Sequence, residues 1–337
     1  MKRVQIGLGL VLLVGTLAMA IGPAAGAGET GGAAAAARWQ ASIASVPLPG
    51  GGCFSASYPS LAWHATPCAT APNIPFAPGP HAVGDGHDYS AVSSGLVSKA
   101  TGSFVGVSPK LTETGQYNHQ GSQLANVFSL QLNTQFFTTP TCAKSGTPSK
   151  CLGWQQFVYD SAANYVFMQY WLIDYNAKCP TGGWMTFGVD CYRNSSAVPF
   201  SGASLKAADL ATVKLTGSAV KNGKDMLQFS NKGHATAVSG LDSVVNLALK
   251  WNTAEFDIFG DGGGGQANLS AKSSLSAQVA LTGASKAAPK CVKEGFTAET
   301  NNLNLAHTPA ITSAPSPTMR STQSNGPATT ASCATAA

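Results

Sequence analysis

Between Trp154 and Tyr175 the chain reads Trp-Gln-Gln-Phe-Val-Tyr-Asp-Ser-Ala-Ala-Asn-Tyr-Val-Phe-Met-Gln-Tyr-Trp-Leu-Ile-Asp-Tyr, and this stretch limits the fold most tightly. Two runs rich in aromatic and β-branched residues flank an Asp-Ser-Ala-Ala-Asn break, the composition of a long β-hairpin at the centre of a sheet. Gln155, Gln156 and Gln169 lie inside these runs. A buried amide must be hydrogen-bonded or face a wet groove, so the hairpin points to a groove across a sheet.

Further short strands are predicted at 89–99, 101–107, 126–137, 153–160, 165–175, 211–219 and 224–230. Lys221-Asn222-Gly223-Lys224 supplies a tight hairpin turn, because Asn-Gly accepts positive φ. Leu275, Ala277, Val279 and Leu281 alternate with Ser276, Gln278, Ala280 and Thr282 in a half-buried strand. From Asp242 to Lys250 the pattern fits either a short helix or a buried strand. Only 10% of residues are charged, which suits an extracellular β-protein better than a helical one. The expected fold is all-β, a two-sheet antiparallel β-sandwich over residues 85–306. Residues 28–84 read as a linker or pro-segment followed by a proline-rich, disulfide-stapled arm. Residues 307–337 read as a mobile Ser/Thr/Pro-rich tail, and 179–200 as a disulfide-pinned loop.

Residues 1–27 carry Lys2 and Arg3, an apolar run from Ile6 to Leu17 and small residues for cleavage, so a secretory signal and release without a membrane anchor are expected. The eight cysteines then read as disulfides. Neighbours in sequence suggest Cys53 with Cys68, Cys142 with Cys151, Cys179 with Cys191, and Cys291 with Cys333. No Cys-x2-Cys spacing or nearby histidine supports a metal site. Losing Lys2 and Arg3 lowers the formal charge of +5 by two, and no basic stripe suggests nucleic acid. A monomer is expected.

There are five glutamates, Glu29, Glu113, Glu255, Glu294 and Glu299, and four fall in segments read as tails or loops. Glu255 alone sits inside an apolar strand, Thr253-Ala254-Glu255-Phe256-Asp257-Ile258-Phe259, sharing one face with Thr253 and Asp257. A carboxylate against aromatic surface gains proton affinity, as a general acid or base requires; the plainer reading is a partly exposed face of satisfied carboxylates. His81 and His87 flank a Gly-rich turn and read as solvated. Gly260 to Gly265 with Asp257 offers oxygens to calcium, but with few acidic ligands it reads as a mobile loop.

Asp88-Tyr89-Ser90-Ala91, Ala100 to Val107, Phe128-Ser129-Leu130-Gln131-Leu132-Asn133, Trp154-Gln155-Gln156-Phe157-Val158-Tyr159, Phe167 to Tyr175 and Thr253 to Ile258 follow in the order and strand types of the glutamic peptidases. Over roughly residues 85–270 the chain resembles that family, the eqolisins, which implies a β-sandwich of the concanavalin-A-like jelly-roll type. The resemblance implies a Gln/Glu dyad at Gln155 and Glu255. Glu255 would activate water and then protonate the leaving amine, and the amide would hold the oxyanion, a role worth about 3–4 kcal/mol. Acid pH, a peptide or protein substrate and no cofactor or metal are implied. The Gln155-Gln156 doublet leaves the mapping open by one residue, which in a strand means the opposite face. Phe157, Tyr159, Tyr170 and Trp171 are candidate groove aromatics. The rival reading is a non-catalytic glycan- or wall-binding sandwich, because one fold carries both.

Overall fold

The computed structural model describes residues 27–79, 89–313, 315–327 and 329–333. The signal segment, the expected domain start at Asp85, and Asp88, His81 and His87 lie outside the described residues. Alternation builds the sheets. Along Ser274–Gly283, buried Leu275, Ala277, Val279 and Leu281 alternate with more exposed neighbours. This strand pairs antiparallel with Val97–Val107 on one side and Thr318–Ser324 on the other. The turn at Lys221-Asn222-Gly223-Lys224 joins Lys214–Ser218 to Lys224–Asn231, with Asn222 at φ 58°.

Two large antiparallel sheets result, and the protein is an all-β sandwich. The first runs from His64–Thr66 through Cys53–Ser57, His234–Leu241, Lys224–Asn231, Lys214–Ser218, Val97–Val107, Ser274–Gly283 and Thr318–Ser324 to Asn304–Leu305. The second runs from Met185–Phe187 through Asp190–Asn194, Tyr165–Ile173, Leu152–Asp160, Ser129–Thr134, Thr253–Phe259 and Ser90–Val92 to Lys290–Val292. Between them lies the main core. Phe256 of the second sheet packs against Phe104 of the first at 5.0 Å, and Tyr159 stacks on Phe229 at 4.3 Å. Gly217 makes room for Phe157, because a Cβ there would sit 2.6 Å from the phenyl ring.

All four neighbour disulfides form, with Cα separations of 5.3 to 5.7 Å. Several local expectations change. Residues 27–43, expected to bury little, form a helix whose Trp39 and Ile43 pack against Phe54 and Trp63. The 179–200 segment holds strands Met185–Phe187, Asp190–Asn194 and Ser196–Pro199, because it has the edge of the 165–173 strand to pair with. The segment after 307, expected to be mobile, contributes Ala310–Thr312 and Thr318–Ser324, with Met319, Ser321 and Gln323 buried. Between 242 and 250 there are two 3-10 turns, Asp242–Val244 and Leu247–Leu249, rather than one helix or strand. Among the described residues no helix is long and apolar enough to cross a membrane.

Candidate active site

The register of the second sheet assembles a polar row. Asn194 lies opposite Gln169, Gln169 opposite Gln156, Gln156 opposite Asn133, and Asn133 opposite Glu255. Ser90 stands on the far side of Glu255. Directly opposed residues share a face, so amides from four strands and one carboxylate form a line across the pleat. The side opposite the other sheet is the one they occupy, since Phe256, one residue from Glu255, points into the inter-sheet core.

Hydrogen bonds tie the row together. Asn133 Nδ2 donates to Glu255 Oε2 at 3.0 Å and to Gln131 Oε1 at 3.2 Å. Gln156 Nε2 also donates to Gln131 Oε1, at 3.0 Å. Trp171 Nε1 bridges Gln156 Oε1 and Gln169 Oε1 at 3.1 and 3.0 Å. Asn133 Oδ1 is buried and accepts nothing among the described residues.

Two segments, one before residue 80 and one after 293, cover this face, leaving Glu255 1% exposed and Gln156, Asn133 and Gln169 with no exposure. From one segment, Phe296 N donates to Glu255 Oε2 at 3.2 Å. From the other, Phe76 N donates to Gln169 Oε1 at 2.8 Å, while Gln169 Nε2 donates to Ile74 O at 2.9 Å. Asn194 Nδ2 donates to Pro72 O at 3.0 Å. The segments also bond to each other, through Ala298 N to Ala77 O and Gly79 N to Phe296 O. Ala77 and Phe296 pack with Trp154, Trp171 and Tyr192 beneath them.

The expected site residues divide between the faces. Glu255, Gln156 and Trp171 occupy the covered polar face, whereas Asp257 bonds instead to Gln323 of the first sheet. Gln155 does not meet Glu255: alternation turns it into the inter-sheet core, where its Nε2 contacts Met168 Sδ at 3.6 Å and its amide lies beside the Asp225 carboxyl of the other sheet. Phe157, Tyr159 and Tyr170 point the same way, against Trp251, Phe229 and Gly240. Asp257 Oδ2 accepts from Gln323, and its Oδ1 from Ile258 N. Sequence reasoning left Asn133, Gln131, Asn194 and Trp154 out of the site. Phe128-Ser129-Leu130-Gln131-Leu132-Asn133 did carry a signal, because its polar residues recur at every second position.

Burial dominates the electrostatics. It raises Asp257 and Glu299 to about 7, against partial relief from hydrogen bonds to Gln323 and Thr297 respectively. Behind the row, burial and then the Asp242 charge raise Asp225 to about 8. Burial lifts Glu113 to about 8. Asp160 and Asp261 are also raised by burial, and Asp261 further by the negative charge of Asp160 beside it. Among the described residues no three His, Cys, Asp or Glu side chains cluster closely enough to hold a metal. The glycine run expected to be a mobile loop is tied down by Gly263 N to Pro75 O and by Gly263 O to the His119 ring.

No protein-family model matches the chain, and no curated protein matches it. Among solved structures it is similar to SCP-B, a member of the eqolisin family of peptidases in complex with the tripeptide Ala-Ile-His, at 9% identity and a TM-score of 0.30. It is also similar to scytalido-glutamic peptidase with a peptide-based transition state analog, at 10% identity and a TM-score of 0.30. Each comparison covers 70% of this chain and 96% of the other.

Proposed function

We propose that the protein is an exported, acid-acting peptidase of glutamic type, folded with its groove covered, in which Glu255 is the general base and then acid. The observation that carries this reading is a single meeting point: Glu255 Oε2 accepts both a peptide N–H, from Phe296, and a side-chain amide N–H, from Asn133. One carboxylate oxygen thereby meets a peptide N–H and a side-chain amide together, which sets a candidate acid/base beside a candidate oxyanion donor.

In the reaction, Glu255 takes a proton from water as the hydroxide oxygen bonds to the peptide carbonyl carbon. The oxyanion is held by amide N–H groups of Gln156 and Asn133. Glu255 then gives its proton to the nitrogen, the C–N bond breaks, and a carboxylic acid and an amine leave. Gln156 takes the role expected of Gln155, because only Gln156 shares the face of Glu255. The repeated raising of buried carboxyls supports work at acid pH, where such groups stay neutral without penalty. Four disulfides support an oxidising compartment. Peptide is favoured over glycan because the face is read by backbone groups of Pro72, Ile74, Phe76 and Phe296, while Trp154 and Trp171 are buried against each other.

The test is digestion of denatured casein from pH 3 to 7, with product masses, for the wild type, Glu255→Gln and Gln156→Ala. Glu255→Gln is expected to abolish cleavage, and Gln156→Ala to slow it about 100-fold or more. Undiminished digestion by Glu255→Gln overturns the proposal. So does a protein inert at every pH both as made and with its covering arm weakened by Ile74→Ala/Phe76→Ala.

A further inference from the structure

The arm over the groove is held as a peptide ligand is held. Pro72 O, Ile74 O and Phe76 N, at every second residue of an arm that bends at Asn73, meet the side-chain amides of Asn194 and Gln169 at 2.8 to 3.0 Å. Gln169 grips the chain with both ends of its amide, donating to Ile74 O and accepting from Phe76 N. All these contacts are to backbone atoms, so they would serve any extended peptide. Apolar anchoring is separate: Ile74 and Phe76 pack on Val158 and Phe167 of the sheet.

Three further observations agree. The segment is Ala71-Pro72-Asn73-Ile74-Pro75-Phe76-Ala77-Pro78, whose prolines pre-set an extended backbone and lower the entropy lost on docking. At the sheet edge where the arm enters, Ala71, Asn73 and Asn194 line a cavity of about 730 Å3, so the outer end of the row opens to a space that a longer chain could enter. No disulfide crosses from the arm to the rest: Cys53–Cys68 lies wholly before it, and the other three join residues from 142 to 333.

We infer that Asn194 and Gln169 form a backbone-reading subsite for extended peptides, and that residues 72–76 occupy it as a built-in ligand which incoming peptide must displace. The link to cleavage rests on the peptidase proposal; the peptide site itself does not.

The test uses the full chain and a fluorescent peptide of residues 70–79. Ile74→Ala/Phe76→Ala removes the arm's anchors and leaves the sheet untouched. By anisotropy at pH 5, the double variant is expected to bind the peptide at least 10-fold more tightly than the wild type. Adding Gln169→Leu, or methylating the peptide nitrogen at the Phe76 position, should weaken that binding at least 10-fold. Equal binding by wild type and variant, or binding indifferent to both Gln169→Leu and N-methylation, overturns the inference. If the double variant does not fold, a wild-type chain with a specific protease site introduced between Gly79 and Tyr89 takes its place. After cutting, the labelled peptide should replace the arm, and failure to exchange counts against the inference. Casein digestion separates the two proposals. Peptide binding without cleavage leaves the subsite standing and removes the peptidase, whereas equal cleavage by wild type and double variant removes the built-in ligand and keeps the peptidase.

Discussion

Gln155 and Gln156 are identical side chains on consecutive residues, and the pleat gives them different environments. Gln156 faces the row with Asn133 and Glu255, while Gln155 lies between the sheets beside Asp225. Their alanine variants should therefore fail in different ways. Gln155→Ala leaves a void between the sheets beside Met168 and Asp225, so it is expected to lower stability by about 1–3 kcal/mol and to leave the cleavage rate per folded molecule close to wild type. Gln156→Ala removes the hydrogen bonds to Gln131 and from Trp171, so it is expected to lower both the rate and the stability. Urea unfolding and casein rates measured on both variants check the division; a Gln155→Ala protein that is stable but inactive would reverse it.

Among the elements, the Cys53–Ser57 strand is the one most dependent on its own staple. It pairs with His234–Leu241 on one side and only the short His64–Thr66 strand on the other. The Cys53–Cys68 bridge closes a loop with a sequence separation of 15, worth about 3 kcal/mol if its effect lies in the unfolded chain. Cys53→Ala/Cys68→Ala should speed amide hydrogen exchange in residues 53–66 by 10-fold or more and leave exchange in 152–173 unchanged. The central hairpin should be indifferent because it pairs along nine residue positions and sits between covered faces. Uniform acceleration in both regions would show that the Cys53–Ser57 edge of the first sheet and the central hairpin unfold as one unit.

For the whole molecule, the carboxyls set the direction of pH dependence. Asp257, Glu299, Asp225 and Glu113 are raised by burial to about 7, 7, 8 and 8. In the unfolded chain such groups ionise near pH 4, and below that both states are protonated. Between about pH 4 and 8 the native state keeps protons that the unfolded state has released, so stability falls as pH rises through this window. Thermal melts from pH 3 to 9 should give the highest Tm near pH 4 and a continuous decline toward pH 8. A Tm that rises from pH 4 to 7 would contradict this account. The same melts on Asp225→Asn should show a shallower decline, because that variant removes one of the titrating groups.

Much of this protein follows from local rules. Strand and turn character come from side-chain shape and alternation, which is why the 152–160 and 165–173 hairpin and the Asn222-Gly223 turn were legible. Cysteine pairing between sequence neighbours is favoured by short loop closure, and the prominence of Glu255 inside an apolar strand came from composition alone. Three matters depended on partners distant in sequence. Which glutamine joins Glu255 was decided by the register of the 129–134 strand between them, since a shift of one residue exchanges the faces. The segment after 307 became a strand because the free edge of Ser274–Gly283 gave its backbone groups partners. The cover over the site joins residues 72–79 to 294–301; its prolines marked the first segment as an arm, but where it lies depended on the Gln169, Asn194 and Glu255 side chains that the fold brings to its backbone and to Phe296.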